Sequence, residues 1–176
     1  MENRKDDVMR LLTKIGIGGD DQELIFEFFI TFSRFEYSLK RMRFLDKSKQ
    51  YAKPDWMAYS NCLSLRYSQM VPELKRLGKE FDKPPKEQRR EGDRIKWKIM
   101  ERGKDENDID WILRCIRTVR NNLFHGGKFP WNEKDPDNHP EVDPVRNRKL
   151  VFASLDILEC IIKTDVELQK FYWEGG

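Results

Sequence analysis

The sequence predicts an all-α protein: a helical bundle of four to five principal helices, with no sheet. Apolar residues recur three or four positions apart in several long segments, which is the spacing that aligns side chains on one face of an α-helix. No segment alternates apolar and polar residues clearly enough to predict a strand. The length of 176 residues suits a single domain, which at this size buries about 70% of the surface of its unfolded chain.

The first predicted elements are a short helix and a long one. The short helix and its turn occupy residues 1–20, where the glycines of IGIGGDD end the helix. The long helix covers about residues 21–45, and a loop follows at residues 46–55. Its apolar stripe consists of Leu24, Phe28, Phe32, Phe35, Leu39 and Met42. The single bundle domain is expected to comprise residues 21–176.

Two shorter helices are predicted in the middle of the chain. Pro54 and Asp55 precede the first of them, which carries Trp56, Tyr59, Leu63 and Tyr67 at helical spacing. A second short helix is predicted over about residues 70–81.

A basic insertion follows over about residues 83–104. Its first part, KPPKEQRREGD, holds two prolines and almost no apolar side chain, which predicts a loop. The chain as a whole has 34 Lys and Arg against 31 Asp and Glu, a net charge of +3, so only a local basic patch favours a nucleic-acid partner. Because acidic residues are interleaved through the insertion, a solvated face is the favoured interpretation and a nucleic-acid contact is the alternative.

Two late helices complete the predicted bundle. The acidic run DENDID at residues 105–110 suits the positive N-terminal end of the first of them. A Pro-rich loop at residues 129–144 follows that helix, and Asp143 and Pro144 are predicted as the N-cap and first residue of the last helix. The predicted buried stripes are Ile109, Ile112, Ile116, Val119 and Leu123, then Val151, Leu155, Leu158, Ile162 and Val166. The last helix is expected to fray near residues 171–176.

Cysteine usage and the N-terminus predict a cytoplasmic protein. Cys62, Cys115 and Cys160 lie far apart and form no CxxC pair, which indicates buried reduced thiols rather than a disulfide frame or a zinc site. The longest apolar run, LIFEFFITF at residues 24–32, is too short to span a bilayer and contains Glu27. The N-terminal MENRKDD does not resemble a signal peptide. We therefore expect no membrane partner.

The stretch RTVRNNLFHGGKFP, residues 117–130, holds the candidate catalytic side chains. Arg120 and His125 are five positions apart, which on an ideal helix turns them about 140° away from each other. They meet only if the helix ends near His125, for which Gly126 and Gly127 are suitable residues, or if a second subunit supplies one of them. The simpler alternative for His125 is a capping role at the negative end of the helix.

These residue types suit cleavage of RNA without a metal. A neutral imidazole takes up or returns a proton near neutral pH, and a guanidinium fork matches the oxygens of a phosphate. Together they could promote attack by the 2′-hydroxyl of the RNA on its own phosphate. The chain has no HExxH motif, no HD pair and no Walker loop, so we expect no metal and no cofactor.

The segment RNNLFH, residues 120–125, resembles the R-x4-6-H motif of the HEPN superfamily, in which a polar residue commonly follows the Arg. The segment FSRFEYSLKR, residues 32–41, is similar to part of the first core helix of many HEPN domains. The resemblance implies an all-helical domain whose motif lies near the end of a late helix, with one more helix after it. Many members are metal-independent endoribonucleases of toxin–antitoxin or antiviral systems.

The resemblance further implies roles for individual residues. Arg120 and His125 would act in catalysis, and Asn121 would position the Arg or the RNA. Two chains would form a homodimer whose two motifs face each other in one composite cleft. The products would be a 2′,3′-cyclic phosphate and a 5′-hydroxyl. Regulation would come from an antitoxin or a sensor protein acting in trans.

Four further side chains are candidates for supporting roles. Lys128 could bind a phosphate, Trp131 could stack on a base, and Asn122 flanks the motif as a possible RNA contact. Their structural alternatives are a solvated charge, a cover over the end of the bundle, and an exposed or capping amide. Glu36 on the long helix is a candidate to orient Arg120, with a surface charge as its alternative.

Two other functions stay open at this point. One is a catalytically silent HEPN bundle that binds a nucleotide, RNA or a partner protein. The other is a helical scaffold unrelated to HEPN domains. Replacing His125 separates the first from the enzyme, because only the enzyme would lose an activity.

Overall fold

The computed structural model describes residues 21–124 and 143–174, which contain six helices and a two-stranded antiparallel sheet. The short helix predicted in residues 1–20 and most of the Pro-rich loop lie outside these ranges. The helices are α1 (Asp21–Arg41), α2 (Trp56–Arg66), α3 (Val71–Leu77), α4 (Asp108–Phe124), α5 (Pro144–Thr164) and α6 (Val166–Glu174). The strands are β1 (Lys86–Glu91) and β2 (Arg94–Ile99), which lie between α3 and α4. The mainly helical architecture confirms the coarse prediction.

Helix α1 buries the stripe that its sequence predicts. Leu24, Phe28, Phe32, Phe35 and Leu39 are all buried. Acidic residues occupy the first turn of α1 and basic residues occupy its last turn, which complements the helix dipole at both ends. Helix α5 packs along α1, so the two longest helices form the framework of the bundle.

A left-handed residue terminates α1. Arg43 has a φ of 67°, and the N–H of Phe44 donates to the carbonyl of Leu39 at 3.0 Å. This is the backbone pattern of a Schellman motif, with an Arg at the position where Gly is usual. The chain then turns back toward α2, where the Asp55 carboxylate accepts a hydrogen bond from the N–H of Ala58 at 2.9 Å. The predicted start of this helix is therefore confirmed.

Aromatic rings join α1 to α2 in the core. The ring of Trp56 stacks on Phe32 and Phe35, with centroid distances of 5.7 and 5.8 Å. Tyr59 meets the edge of Phe35 at 5.8 Å. All four rings are buried, and their contacts hold the middle of α1, with Phe32 and Phe35, against α2.

The prediction of a fold without a sheet is wrong at the basic insertion, which forms a β-hairpin instead of a loop. Its register runs from Lys86 opposite Ile99 to Glu91 opposite Arg94, and Gly92 in the two-residue turn has a φ of 61°. A two-residue turn with Gly at positive φ matches the twist of paired strands. The sequence RIKWKI does alternate apolar and charged residues, but over only six positions and with lysines between them.

The C-terminal part of the chain is two helices rather than one. Asp143 is the N-cap of α5 as predicted, and its carboxylate accepts from the N–H of Arg146 at 2.9 Å. The helix ends before Asp165, whose carboxylate accepts from the N–H groups of Glu167 and Leu168 at 3.2 Å and so caps α6. The predicted burial of Val166 is wrong, because this side chain is 71% exposed.

The region predicted as a short helix over residues 70–81 is α3 flanked by two 3-10 turns, Ser68–Met70 and Gly78–Asp82. Leu74 and Phe81 in this region are buried. Among the described helices, none has the length and apolar character needed to cross a membrane.

Candidate functional site

The candidate site is built on α4, whose N-terminal end is firmly held. The side-chain oxygen of Asn107 accepts from the N–H of Asp110 at 2.8 Å and caps the helix. Two nitrogens of Arg114 donate to the two carboxylate oxygens of Glu106, each at 2.7 Å. Burial by itself raises the pKa of Glu106, but the hydrogen bonds from Arg114 and from the N–H of Gly103 outweigh it and leave the pKa below its usual value.

The buried stripe of α4 fixes the direction in which its polar side chains point. Ile109, Ile112, Ile116 and Val119 are buried as predicted, and Leu123 packs against the core while partly exposed. Because these residues face inward, Arg114, Arg117 and Arg120 share the adjoining side of the helix at intervals of three residues.

Each of the three arginines lies over an aromatic ring. The guanidinium carbon of Arg114 is 4.9 Å from the ring centre of Trp111, and that of Arg117 is 5.3 Å from Trp56. The corresponding distance from Arg120 to Phe32 of α1 is 5.5 Å. These distances are within the range of cation–π contacts. Sequence analysis identified only Arg120, although the spacing of three residues was a signal for the other two.

Arg120 and Asn121 follow each other on α4 and contact each other through their side chains. The role expected for Asn121, which was to position the Arg or the RNA, stays a prediction. Nη1 of Arg120 donates to Oδ1 of Asn121 at 3.1 Å. Arg120 is partly buried against Phe32, whereas Asn121 is exposed. The guanidinium group is therefore in contact with the Phe32 ring and with the side chain of Asn121. His125, Lys128 and Trp131 lie outside the described residues.

Glu36 of α1 acts electrostatically on Arg117, one turn before Arg120. Burial lowers the pKa of Arg117, while the negative charges of Asp110 and Glu36 oppose that effect. The role expected for Glu36, which was to orient Arg120, stays a prediction. The structure shows instead that the negative charge of Glu36 acts on Arg117, the middle one of the three arginines on α4.

The expectation that Asn122 is solvent-exposed is wrong. Its side chain is only 8% exposed, and Nδ2 donates to the backbone carbonyl of Lys86 at 2.8 Å. This bond attaches the first residue of β1 to α4. Asn122 faces the hairpin because it lies about 200° around the helix axis from Arg120. We therefore assign Asn122 a structural role and leave it out of the proposed RNA contacts.

A groove of about 950 Å³ lies between the hairpin, the second half of α4 and the start of α5. Its walls carry the apolar side chains of Trp97, Ile99 and Val145. Lys83 and Lys149 add positive charge at the wall, and the guanidinium of Arg146 donates to the carbonyl of Lys83. Glu80, Asp82 and Asp143 line the same groove and add negative charge. The sequence analysis did not single out Trp97, although the alternation in RIKWKI was a signal for it.

Most of the hairpin charges pair with each other. Glu91 binds Lys98 and also Lys96, at 2.9 Å for the latter, and these hydrogen bonds lower the pKa of Glu91 to about 2. Arg89 Nε donates to Glu87 at 2.7 Å. Because these charged side chains pair with each other, the solvated-face interpretation is favoured for the side of the hairpin that carries them. The groove beside the hairpin is lined by both apolar and charged side chains.

One of the three cysteines, Cys115, lies on α4 next to Arg114. Cys115 is buried in α4, where burial raises the pKa of its thiol to about 12, and all three cysteines are free. Burial also raises the pKa of Cys160. In residues 21–124 and 143–174, no three His, Cys, Asp or Glu side chains are grouped closely enough to hold a metal ion.

Comparison of the chain with protein-family models, with curated proteins and with solved structures gives no significant match. Function is therefore inferred from the side chains of this chain and from the motif at residues 120–125.

Proposed function

We propose that this protein is a metal-independent endoribonuclease of the HEPN type, in which Arg120 and His125 act on the scissile phosphate. The observation that supports it best is the fixation of Arg120. Its guanidinium lies 5.5 Å from the ring centre of Phe32 and donates to Asn121, five residues before the only histidine of the motif. An arginine held in this way is preorganised to receive a phosphate.

The chemistry needs only these groups and the RNA. His125 takes the proton from a 2′-hydroxyl, whose oxygen then attacks the adjacent phosphorus. The bond between phosphorus and the 5′-oxygen breaks, and that oxygen takes up a proton from an imidazolium. The products are a 2′,3′-cyclic phosphate and a 5′-hydroxyl. Arg120 stabilises the negative charge that grows on the non-bridging oxygens of the phosphate.

The contacts of Arg120 suit a side chain that binds the scissile phosphate. The guanidinium carbon lies over the Phe32 ring, and Nη1 donates to Asn121 at 3.1 Å. Nε of Arg120 is buried, so the phosphate would be bound by the Nη groups.

The groove beside α4 supports a path for single-stranded RNA. Trp97 offers a ring on which a base can stack, and Lys83 and Lys149 can pair with phosphates. Lys128 and Trp131 are proposed to extend this surface, as the sequence suggests. The cytoplasmic location, the homodimer, the regulator in trans and the toxin–antitoxin or antiviral setting are proposed from the resemblance to HEPN domains.

The test is cleavage of structured and single-stranded RNAs by the purified protein in EDTA. The His125→Ala protein should lose cleavage, by at least about a hundredfold. The matched control is His139→Ala, because the chain has only two histidines. Cleavage by wild type and His139→Ala, with cyclic-phosphate ends, supports the proposal. Equal cleavage by all three proteins points to a contaminating nuclease and refutes it.

The second candidate function is a silent bundle that binds RNA without cutting it. The groove favours this candidate, because its lysines and Trp97 need no histidine to bind a strand. Binding of labelled RNA by wild type without cleavage of any substrate, and with no change in His125→Ala, would select it over the enzyme.

A further inference from the structure

The two faces of the hairpin differ in their chemistry. Side chains along a strand point alternately to opposite faces, and residues directly opposite each other on paired strands share a face. The register, with Lys86 opposite Ile99 and Glu91 opposite Arg94, therefore assigns the side chains of β1 and β2 to one face or the other. One face carries the charged side chains Glu87, Arg89, Glu91, Arg94, Lys96 and Lys98.

The second face of the hairpin combines aromatic, apolar, amide and basic side chains. It carries Lys86, Gln88 and Arg90 of β1 and Trp97 and Ile99 of β2. We call these five residues the aromatic face of the hairpin. Within residues 86–91 and 94–99, both acidic side chains lie on the first face, so the aromatic face has none. Lys86, Trp97 and Ile99 also line the groove beside α4, which makes this face and the groove one surface.

Gln88 stands directly opposite Trp97 in this register. Opposite side chains on one face of an antiparallel pair have Cβ atoms about 4.5–5.5 Å apart, so the amide lies beside the indole ring. Gln88 is exposed and Trp97 is partly exposed. A planar ligand that stacks on the indole would therefore present its edge to the amide.

An indole ring with an amide beside it suits an adenine base. Any base can stack on an aromatic ring, and hydrogen bonds to its edge select one base over another. The amide of glutamine has an acceptor oxygen and a donor nitrogen, which match the N6 amine and the N7 of adenine.

The other bases fit the aromatic face less well. Arginine is the usual partner of guanine, but Nε of Arg90 donates to the carbonyl of Gly92 at 2.6 Å, which directs this side chain toward the turn. Cytosine is bound through its N4 amine by Asp or Glu, and both glutamates of the strands lie on the opposite face.

We infer that the aromatic face binds single-stranded RNA, with an adenine base stacked on Trp97 and hydrogen-bonded by Gln88. The charge of the adjoining groove favours a polyanion of this kind. Three acidic side chains line the groove, and one of them, Asp143, accepts from the N–H of Arg146 as the cap of α5. Five basic side chains line it, which are Lys79, Lys83, Lys86, Arg146 and Lys149.

The aromatic face and Arg120 lie on different sides of α4. Asn122, which donates to the carbonyl of Lys86, is about 200° around the helix axis from Arg120. A strand that reaches both must pass around a helix about 10–12 Å across, so the bound adenine is not the nucleotide at the cut. A preference for adenine at a fixed distance from the cut rests on the proposed function, whereas binding of the base does not.

The first experiment is fluorescence anisotropy with the full chain and labelled 2′-deoxy strands of about eight nucleotides. The proposed reaction cannot cut these strands, because they have no 2′-hydroxyl. Each strand is thymine except for its central base, which is adenine, guanine, cytosine or thymine, and all are measured at one salt concentration. Wild type should bind the adenine strand at least about fivefold more tightly than the others. Absence of binding, equal binding of the four strands, or preference for another base overturns the inference.

Removal of the indole ring tests the stacking. Trp97→Ala should weaken binding of the adenine strand by about tenfold or more, whereas Trp97→Phe, which keeps an aromatic ring, should retain most of it. The matched control is Trp173→Ala on α6, where the side chain is 71% exposed, and this protein should bind as wild type does. Unchanged binding in Trp97→Ala, or an equal loss in the control, overturns the role of Trp97.

A charge change at Gln88 tests which group selects the base. The carboxylate in Gln88→Glu can accept from the N4 amine of cytosine but cannot donate to N7 of adenine, so the preference should change from adenine to cytosine. The matched control is Gln69→Glu, which adds the same charge at another exposed glutamine and should keep the preference for adenine. An unchanged preference in Gln88→Glu overturns the role of Gln88.

RNA cleavage by the same proteins separates this inference from the proposed function. Preference for the adenine strand without cleavage of any RNA supports the aromatic face and refutes the enzyme. Cleavage that depends on His125, with no preference among the four strands, refutes the aromatic face and supports the enzyme.

Discussion

Replacing Tyr59 by Phe should destabilise the protein by about 1.5–3 kcal/mol. The hydroxyl of Tyr59 donates to the carboxylate of Asp165 at 2.9 Å, and the two residues are only 1% and 2% exposed. A hydrogen bond to a buried charged group contributes about this much, because its loss leaves the carboxylate without water to replace the donor. Tyr67 contacts the other carboxylate oxygen at 3.4 Å and cannot compensate at that distance.

Urea unfolding followed by circular dichroism measures this free energy, and thermal unfolding should show a midpoint lower by about 3–12 °C for a chain of this length. The control is Tyr51→Phe, since Tyr51 is 67% exposed and should show no change. A loss below about 0.5 kcal/mol in Tyr59→Phe, or an equal loss in the control, would mean that Asp165 is not stabilised by Tyr59.

Three further outcomes are expected. Asn121→Ala should lower RNA cleavage about tenfold by freeing the guanidinium of Arg120, whereas Asn121→Asp, which keeps the acceptor oxygen, should retain most of the activity in the same assay. Glu106→Gln should destabilise the protein near pH 7. The folded pKa of Glu106 lies below its ordinary value of 4.5. The difference in the free energy of unfolding from wild type is therefore present above pH 4.5 and disappears as the pH falls through the lowered pKa. Urea titrations at several pH values measure it. Cys115, buried with a thiol pKa of about 12, should not react with a disulfide reagent at pH 8 until the protein is unfolded, and rapid labelling of the native protein at this position would contradict its burial.

The long, strongly periodic helices could be predicted from the sequence because their signals are local. The stripe of α1 and the N-cap at Asp143 each depend on residues within a few turns of one another. The hydrogen bond from Arg120 to its neighbour Asn121 is also local, whereas the catalytic roles of both residues stay predictions.

The features that sequence analysis missed depend on distant contacts. Asn122 is buried because the hairpin backbone reaches it, and no local pattern indicates a partner 36 residues away. Asp165, whose buried carboxylate accepts from the distant Tyr59, has an extended backbone that follows the end of α5, so Val166 leaves the helical stripe that its spacing predicts. The hairpin was missed because three alternating apolar residues in β2 are too few to outweigh the surrounding charges.

The charge pairs of the hairpin also influence the solubility of the protein. In the part of the chain that the structure describes, β1 and β2 pair as strands only with each other, and α4 meets the start of β1 through the bond from Asn122 to the carbonyl of Lys86. Strands at the edge of a sheet can recruit strands from other molecules, and lysines on an edge strand oppose that pairing. Lys96 and Lys98 occupy alternate positions of β2, between the apolar residues that would otherwise favour stacking. A variant engineered to make this hairpin more apolar would therefore gain strand propensity and lose its protection against edge-to-edge aggregation.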